Sequence, residues 1–362
     1  MNSMEDFNQH CVGSPYRSAR CLDDSQGDYV EEVREDLSSF LNIADSSKVS
    51  FTFNATHGLN TVIQGYLQPS DHVVISCYEH NAVLRPLEAL RQSRNISYTV
   101  VFPHQGDKSL ETRLDEAIRP STRLIVWNHA SNVTGEIMPI DQLARWAKKH
   151  KIPLLVDVAQ TAGSVPIDVQ QWDVDFLVGT GHKGLLSLPG LGFLYVKNAD
   201  SLKTLMQGGS GFHSQSLIHP QASPMKFEAG TPNYFAIYAL RSSLKFLREH
   251  SQKISENHNQ IAEFLMESFA DIPELRIYGP KDHRVSIISL NIEGFEPTFV
   301  SDFLCQSARV ITRAGLHCAP LAHQALGTDP MGTVRVSWGP FQNLKDAKVL
   351  VQALRRFVKE YA

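Results

Sequence analysis

The sequence has no hydrophobic run close to the ~18 residues that a membrane-spanning helix needs. Its amino terminus, MNSMEDFNQH, also lacks the basic stretch and the apolar stretch of a secretion signal. These two absences argue against a membrane or secreted protein. We therefore expect a soluble protein of the cytoplasm with no membrane partner.

Paired cysteines and basic clusters are missing as well. The five cysteines have no spacing such as C-x-x-C, which argues against both a disulfide framework and a structural zinc site. They are Cys11, Cys21, Cys77, Cys305 and Cys318. The formal net charge is −4, and the basic residues form no cluster of the kind that binds nucleic acid. We expect no metal site and no nucleic-acid partner, and we favour small molecules or proteins.

What the sequence does contain is enough apolar material for two domains, since 42% of its 362 residues are hydrophobic. Between about residues 49 and 196, short apolar runs alternate with segments of helical period. This pattern predicts a mostly parallel sheet covered by helices. The seven predicted strands are residues 49–53, 72–76, 97–102, 123–128, 152–157, 174–179 and 192–196. The helices predicted between them are residues 59–67, 82–94 and 140–150.

The pattern changes in the last third of the chain. Residues 234–269 have the period of one long helix, and shorter segments follow it. The strand-like segments are residues 285–292, 310–312 and 333–337, and the helix-like segments are residues 297–306 and 344–361. We therefore predict an α/β protein with a large αβα domain over residues 12–250 and a small C-terminal α+β domain over residues 251–362.

A lysine and an aspartate follow two successive predicted strands of the large sheet. Asp157 ends a strongly apolar run, and a buried carboxylate is costly unless it is paired. Lys183, in Thr180-Gly-His-Lys183, could form a Schiff base with a carbonyl cofactor, although a surface lysine is the simpler interpretation. Pyridoxal phosphate would join the two residues, because its protonated ring nitrogen needs an anionic partner.

Polar segments also follow three other predicted strands. Asn54-Ala55-Thr56 lies at a helix start, where backbone amides and the helix dipole favour a phosphate, although it could be an ordinary cap. His80 and Asn132 come after two further strands. Because the carboxyl ends of parallel strands share one edge, five polar strand ends favour a single ligand site over five separate structural roles.

Six segments in order resemble the class V aminotransferase family, and within it the cysteine desulfurase and selenocysteine lyase group. They are FNATHGLN at 53–60, EHNAVLRP at 79–86, VDVAQTAG at 156–163, TGHK at 180–183, GTPN at 230–233 and RAGLHCAP at 313–320. The resemblance covers the chain from about residue 13 to the end. It implies the type I fold of pyridoxal-phosphate-dependent transferases.

The resemblance also implies roles around the cofactor ring. Lys183 forms the Schiff base, Asp157 pairs with the ring nitrogen, and Gln160 contacts the ring hydroxyl. His80 stacks on the ring and moves protons, and Asn132 lies beside the ring and the substrate carboxylate.

The phosphate of the cofactor is assigned to other residues by the same resemblance. Ala55, Thr56, Thr180 and His182 hold it within one subunit. Thr231 reaches the phosphate bound in the second subunit, so a homodimer is expected.

The small domain carries the residue that would separate a desulfurase from its relatives. Cys318 matches the family nucleophile, and Arg313, His317 and the turn at Gly315 are expected to lower the pKa of its thiol. The alternative is a buried cysteine that acts as a small hydrophobic residue. Arg335 matches the arginine that binds the substrate carboxylate, a contact to which Arg313 is also assigned.

The predicted activity is conversion of L-cysteine to L-alanine, with the sulfur passing to Cys318 as a persulfide and then to an acceptor protein. A selenocysteine lyase or another carbon–sulfur lyase is the first alternative. Family members usually begin with a strand and an Asn-Ala-Ala segment, whereas this chain begins close to the following loop at residues 13–17. We expect that segment to be absent, which motivates the second alternative, a non-catalytic paralogue that acts as a binding partner.

Overall fold

The computed structural model describes residues 29–104, 106–211 and 215–362. They pack into two compact units. Of the described residues, the larger unit comprises 29–76 together with those of Ala82–His129 and Pro139–Glu249, and the smaller unit comprises Cys77–Asn81, Ala130–Met138 and His250–Ala362. The predicted domain limits of 12–250 and 251–362 stay a prediction, and Cys11 and Cys21 lie outside the described residues.

The larger unit contains a seven-stranded, mostly parallel sheet, as the sequence predicted. Its strands are β1 Val49–Thr52, β2 His72–Ser76, β3 Ser97–Val101, β4 Thr122–Asn128, β5 Leu154–Asp157, β6 Phe176–Thr180 and β7 Gly192–Val196. The order across the sheet is β1-β7-β6-β5-β4-β2-β3, and only β7 runs antiparallel to its neighbours. The central strands are buried along their whole length, which is why they have continuous apolar sequences.

Helices flank this sheet in the chain. They are α1 Tyr29–Phe40, α2 Ala55–Tyr66, α3 Asn81–Arg94, α4 Leu110–Ala117, α5 Ile140–His150, α6 Val169–Trp172 and α7 Tyr234–Ala270. The long helix predicted over residues 234–269 is confirmed as α7. The sequence did not predict α1 or α4: Arg34 interrupts the apolar face of α1, and α4 buries only Leu114 and Ala117.

The smaller unit contains a four-stranded antiparallel sheet in the order β10-β11-β9-β8. Its strands are β8 Leu275–Tyr278, β9 Ile287–Ile292, β10 Arg313–Gly315 and β11 Thr333–Ser337, and its helices are α8 Pro297–Ala308, α9 Pro320–Leu326 and α10 Leu344–Tyr361. The strand predicted at residues 310–312 is wrong. Arg309 ends α8 in the left-handed conformation, and pairing with β11 begins only at Arg313.

The core of the smaller unit lies between its sheet and its helices. Leu354 on α10 and Leu290 on β9 belong to this core, and both side chains are fully buried. Within the described parts of the chain, no helix is both long enough and apolar enough to cross a membrane.

Replacing Leu354 with alanine is expected to lower the free energy of unfolding by about 2–5 kcal/mol, because it leaves a cavity in this core. Val349 lies on the same helix with 42% of its surface exposed, so Val349→Ala is the matched control and should cost far less. Urea unfolding followed by circular dichroism measures both. Equal losses in the two variants would contradict the described core.

Candidate active site

The carboxyl ends of the parallel strands meet at one edge of the large sheet. β1 and β6 each pair antiparallel with β7, so they run in the same direction as β4 and β5. At this edge Asp157, the last residue of β5, lies between Asn128 of β4 and Val178 of β6 in the strand register. The structure thus brings the ends of β1, β4, β5 and β6 to one edge, as the sequence predicted.

Asp157 is a buried carboxylate with little compensation from the chain. Only 9% of its surface is exposed, and its Oδ1 accepts a hydrogen bond from the Ala159 amide at 2.8 Å. Burial raises the pKa of Asp157, while the Ala159 amide and the charge of Lys183 act in the opposite direction. A cation placed against this carboxylate would stabilise its ionised form. The protonated ring nitrogen of pyridoxal phosphate fits that requirement.

Lys183 lies in a tight turn three residues after β6. The Ser187 amide donates to the Gly181 carbonyl at 2.8 Å, and the Leu186 amide donates to the Lys183 carbonyl at 2.9 Å. The side chain of Lys183 is exposed. Gly163, at φ +91°, packs so closely on the turn that an added Cβ would overlap the Gly184 backbone. This contact holds the lysine turn against the loop that follows Asp157.

The first turn of α2 has the features of a phosphate site. The side chain of Asn54 caps the helix by accepting the His57 amide at 3.0 Å. The amides of Ala55 and Thr56 precede it in the helix, where no intrahelical acceptor exists for them. These two amides and the helix dipole therefore fit an anion.

Thr180 and His182 lie next to this helix start. The buried Thr180 hydroxyl is 3.0 Å from His182 Nδ1 and 3.3 Å from the Leu191 carbonyl oxygen. Thr180 pairs with Gly192 across the sheet, and an added Cβ on Gly192 would overlap the backbone of Asn54. Partial desolvation and the charge of Lys183 lower the pKa of His182. The predicted phosphate residues of this unit are thus neighbours.

Two other predicted residues also belong to the larger unit. Gln160 is half-buried and lies three residues after Asp157, in the loop that packs on the lysine turn. Thr231 is exposed and lies just after Gly230, which has a φ of +91°. Its predicted contact with a second subunit stays a prediction.

In the smaller unit, Cys318 lies in a strained turn between β10 and α9. His317 and Cys318 have φ values of +50° and +58°, in the left-handed region that is unfavourable for both residue types. One side-chain donor and one backbone donor hold this turn. Asn132 Nδ2 donates to the His317 carbonyl at 2.7 Å, and the Asn81 amide donates to the Cys318 carbonyl at 2.7 Å.

Two arginines lie beside this thiol. Arg313 and Arg335 are directly opposite each other on β10 and β11, and Arg313 Nη2 is 3.9 Å from Cys318 Sγ. Arg335 Nη1 donates to the Asn132 carbonyl at 2.8 Å, while its Nε is buried without a hydrogen-bond partner. Burial and the charge of Arg313 lower the pKa of Arg335. Within the described residues, neither arginine forms an ion pair with a carboxylate, so the pair fits an anionic ligand.

His317 does not have the role expected from the sequence. Its Nε2 lies 3.1 Å from both the carbonyl oxygen and the hydroxyl of Thr333, and the side chain is buried. Burial, followed by the charges of Arg335 and other neighbours, lowers the pKa of His317 to about 3. The imidazole is therefore neutral near pH 7 and brings no positive charge to the thiol. Arg313 and Arg335 are the charged groups there.

The smaller unit thus groups four predicted residues: Asn132, Arg313, Arg335 and Cys318. His80 belongs to the same unit and is half-buried, next to Asn81. The sequence did not predict the roles of Asn81 and Thr333. The Asn81 amide donates to the Cys318 carbonyl, and Thr333 contacts the His317 imidazole, so each contact joins positions that are distant in the chain.

A mostly parallel seven-stranded sheet with a buried carboxylate and a lysine at neighbouring strand ends is the arrangement of pyridoxal-phosphate-dependent enzymes of fold type I. This chain belongs to the aminotransferase class-V family, whose model matches residues 1–350.

Several known proteins that are similar to this chain are named as cysteine desulfurases. A probable cysteine desulfurase of Mycolicibacterium paratuberculosis is 28% identical over 99% of the chain, although the chain spans only 53% of that protein. A cysteine desulfurase of Serratia proteamaculans is 31% identical over 87% of the chain and 79% of its own length. The apo structure of a cysteine desulfurase from Thermococcus onnurineus NA1 aligns with a TM-score of 0.88 at 25% identity, over 99% of this chain and 91% of that one.

Replacing Asp157 with asparagine is expected to stabilise the cofactor-free protein at neutral pH and to weaken its binding of pyridoxal phosphate. Because burial raises the pKa of Asp157, the parent loses stability as the pH rises through the window above the ordinary aspartate value of about 4. The advantage of the variant should therefore shrink towards pH 4. Urea unfolding of the apo proteins between pH 4 and 8 measures this difference.

The control for this experiment is Asp271→Asn, which removes a carboxylate that is 74% exposed. A difference between parent and Asp157→Asn that stays constant with pH would contradict the burial of an ionised carboxylate at this position.

Proposed function

We propose that this protein is a pyridoxal-phosphate-dependent cysteine desulfurase that converts L-cysteine to L-alanine. The observation that carries the proposal is the Cys318 thiol, 3.9 Å from the guanidinium of Arg313 and beside a second arginine that has no carboxylate partner among the described residues. A nucleophile next to a carboxylate-binding pair is what the reaction requires. The names of the relatives support the same activity.

The larger unit would hold the cofactor. Asp157 would pair with its ring nitrogen, Gln160 with its ring hydroxyl, and Lys183 with its carbonyl carbon. When bound, pyridoxal phosphate supplies a carbonyl group for amines and an electron-withdrawing ring. The phosphate would lie at the start of α2, where two amides lack helical acceptors.

The smaller unit would bind the substrate carboxylate. Arg335 Nε is buried without a hydrogen-bond partner, and the bond from Arg335 to the Asn132 carbonyl uses Nη1. A planar guanidinium binds a carboxylate through two parallel hydrogen bonds, which also fixes the orientation of the substrate. The charge of Arg313 adds to the attraction, and a bound carboxylate relieves the repulsion between the two arginines.

Proton transfer would be carried by an amine and an imidazole. The Lys183 amine would take the proton from the substrate α-carbon, since an unprotonated primary amine is a suitable general base. His80 would donate and accept protons during release of alanine. Lys183 follows β6 in the chain, and His80 follows β2.

Sulfur transfer would occur at Cys318. Its thiolate attacks the substrate sulfur, so that a sulfur–sulfur bond forms as the carbon–sulfur bond breaks. The electron pair of the broken bond stays on carbon, and protonation there gives alanine. Cys318 is left as a persulfide, which a thiol of an acceptor protein would then attack.

A homodimer is part of this proposal. Large apolar side chains are exposed on the larger unit, and burial of such a surface in a second copy would be favourable. They include Phe53, Leu205, Met206, Leu217, Ile218 and Phe235. Thr231 is exposed as well and would contact the phosphate bound in the second subunit.

Lys183→Ala and Cys318→Ala are each expected to abolish formation of alanine and sulfide from L-cysteine in the presence of pyridoxal phosphate and a reductant. Cys318→Ala should keep the visible absorbance of the cofactor, whereas Lys183→Ala should lose the lysine-linked form. Cys305→Ala changes another thiol, one that is exposed, and is the matched control.

Each other outcome has a definite meaning in this experiment. Activity that survives in Cys318→Ala would point to a selenocysteine lyase or another carbon–sulfur lyase. A parent protein that takes up no cofactor would support a non-catalytic binding partner and overturn the proposal.

Arg335→Lys is expected to raise the KM for L-cysteine by about tenfold or more with a smaller change in kcat, because lysine keeps the charge but cannot form the paired hydrogen bonds. Cysteamine lacks the carboxylate and serves as the control substrate. The preference of the parent for L-cysteine over cysteamine should largely disappear in the variant. An unchanged preference would assign the carboxylate to another residue.

A further inference from the structure

The outer edge of β1 is closed by an ion pair instead of a further strand. β1 is the terminal strand of the seven-stranded sheet, so the backbone groups on its free side need partners from elsewhere. Arg34 Nη1 donates to the Val49 carbonyl at 2.8 Å, and the Phe51 amide donates to Glu228 Oε1 at 2.6 Å. Arg34 and Glu228 together take the place of an adjoining strand.

In this ion pair Arg34 is buried and Glu228 is partly buried. Arg34 has no exposed surface, and its Nη1 and Nη2 lie 2.6 Å and 3.2 Å from the two carboxylate oxygens of Glu228. Its guanidinium also packs 4.8 Å from the ring centre of Phe51. A two-pronged pair of this kind permits little rotation. Glu228 is therefore fixed relative to β1.

Fixing Glu228 also fixes the exposed segment that follows it. Thr231 comes three residues after Glu228 and two residues before Asn233. Asn233 is held in turn, because its Nδ2 donates to the Pro189 carbonyl at 3.2 Å. Thr231 is thus exposed but anchored on both sides. Such anchoring lowers the entropy that must be lost when a ligand is bound.

We propose that Arg34 and Glu228 are positioning residues that hold Thr231 ready for the cofactor phosphate of the second subunit. This inference rests on the proposed function, which assigns Thr231 to that contact. Glu228 acts through Thr231 and does not itself touch the cofactor. Its effect should therefore disappear once the Thr231 hydroxyl has been removed.

The alternative is that the Arg34–Glu228 ion pair contributes only to stability. A substitution at Glu31 distinguishes this alternative from a positioning role. Glu31 also bonds Arg34 twice, at 2.9 Å and 3.2 Å. It lies on α1 together with Arg34, so its bond does not tie the Thr231 segment to β1. Glu31→Gln and Glu228→Gln therefore disturb the same arginine, but only the second change loosens Thr231.

The test measures the affinity of each apo protein for pyridoxal phosphate by absorbance titration, and its thermal midpoint by circular dichroism. The set comprises the parent, Glu31→Gln, Glu228→Gln, Thr231→Val and the double variant Glu228→Gln/Thr231→Val. Glu228→Gln should weaken binding by about tenfold or more, since a loosened segment must be ordered on binding. Glu31→Gln should stay within about twofold of the parent, and the double variant within about twofold of Thr231→Val.

Two results would overturn this inference and leave the proposed function intact. One is an affinity of Glu228→Gln for pyridoxal phosphate that equals that of the parent. The other is a loss of affinity in the double variant that equals the sum of the losses in the two single variants. Arg34→Lys gives a second measurement if Glu228→Gln does not fold. It keeps the charge but not the two-pronged geometry, and it should weaken binding as Glu228→Gln does. A parent protein that binds no pyridoxal phosphate would overturn both the inference and the proposed function.

Discussion

The burial of Asp157 is the constraint on which the site of the larger unit depends. β5 lies between β4 and β6, and its last residue, Asp157, has only 9% of its surface exposed. The Ala159 amide and the charge of Lys183 offset only part of the cost, and the pKa of the carboxyl stays raised. A cation placed against this carboxylate would stabilise its ionised form. The lysine turn and the first-turn amides of α2 belong to the same unit as this carboxylate.

The smaller unit also has incompletely compensated charge, but there the charge is positive. Arg313 and Arg335 face each other across two strands, where like charges repel. Burial lowers the pKa of Arg335, and its Nε has no acceptor. A carboxylate bound there would supply both the missing charge and the missing acceptor. Among the described residues, the smaller unit therefore presents unpaired positive charge, and the larger unit presents a carboxylate that is only partly compensated.

The large sheet and the polar residues at its strand ends could be predicted from local sequence, whereas β10 and the Arg34–Glu228 ion pair could not. The buried strands of the large sheet have continuous apolar runs bounded by turn residues, and Asp157 and Lys183 are polar residues at the ends of such runs. The short strand β10 lacks that signal, and its predicted position was wrong by three residues at its start because Arg309 ends α8 in the left-handed conformation. Arg34 and Glu228 are 194 residues apart, so no local pattern joins them. A charged residue on the apolar face of α1 was the one hint that a buried partner existed.

The turn at Cys318 shows how strain and restraint act together. Two consecutive left-handed residues, His317 and Cys318, each cost about 1–3 kcal/mol, and such a conformation persists only where the surrounding structure holds it. The bonds from Asn132, Asn81 and Thr333 provide that restraint. The same bonds keep the thiol beside Arg313, because releasing the turn would break contacts with three separate segments of the smaller unit. In the proposed reaction, an acceptor protein must therefore bring its own thiol to Cys318, since moving the turn outward would cost all of these contacts at once.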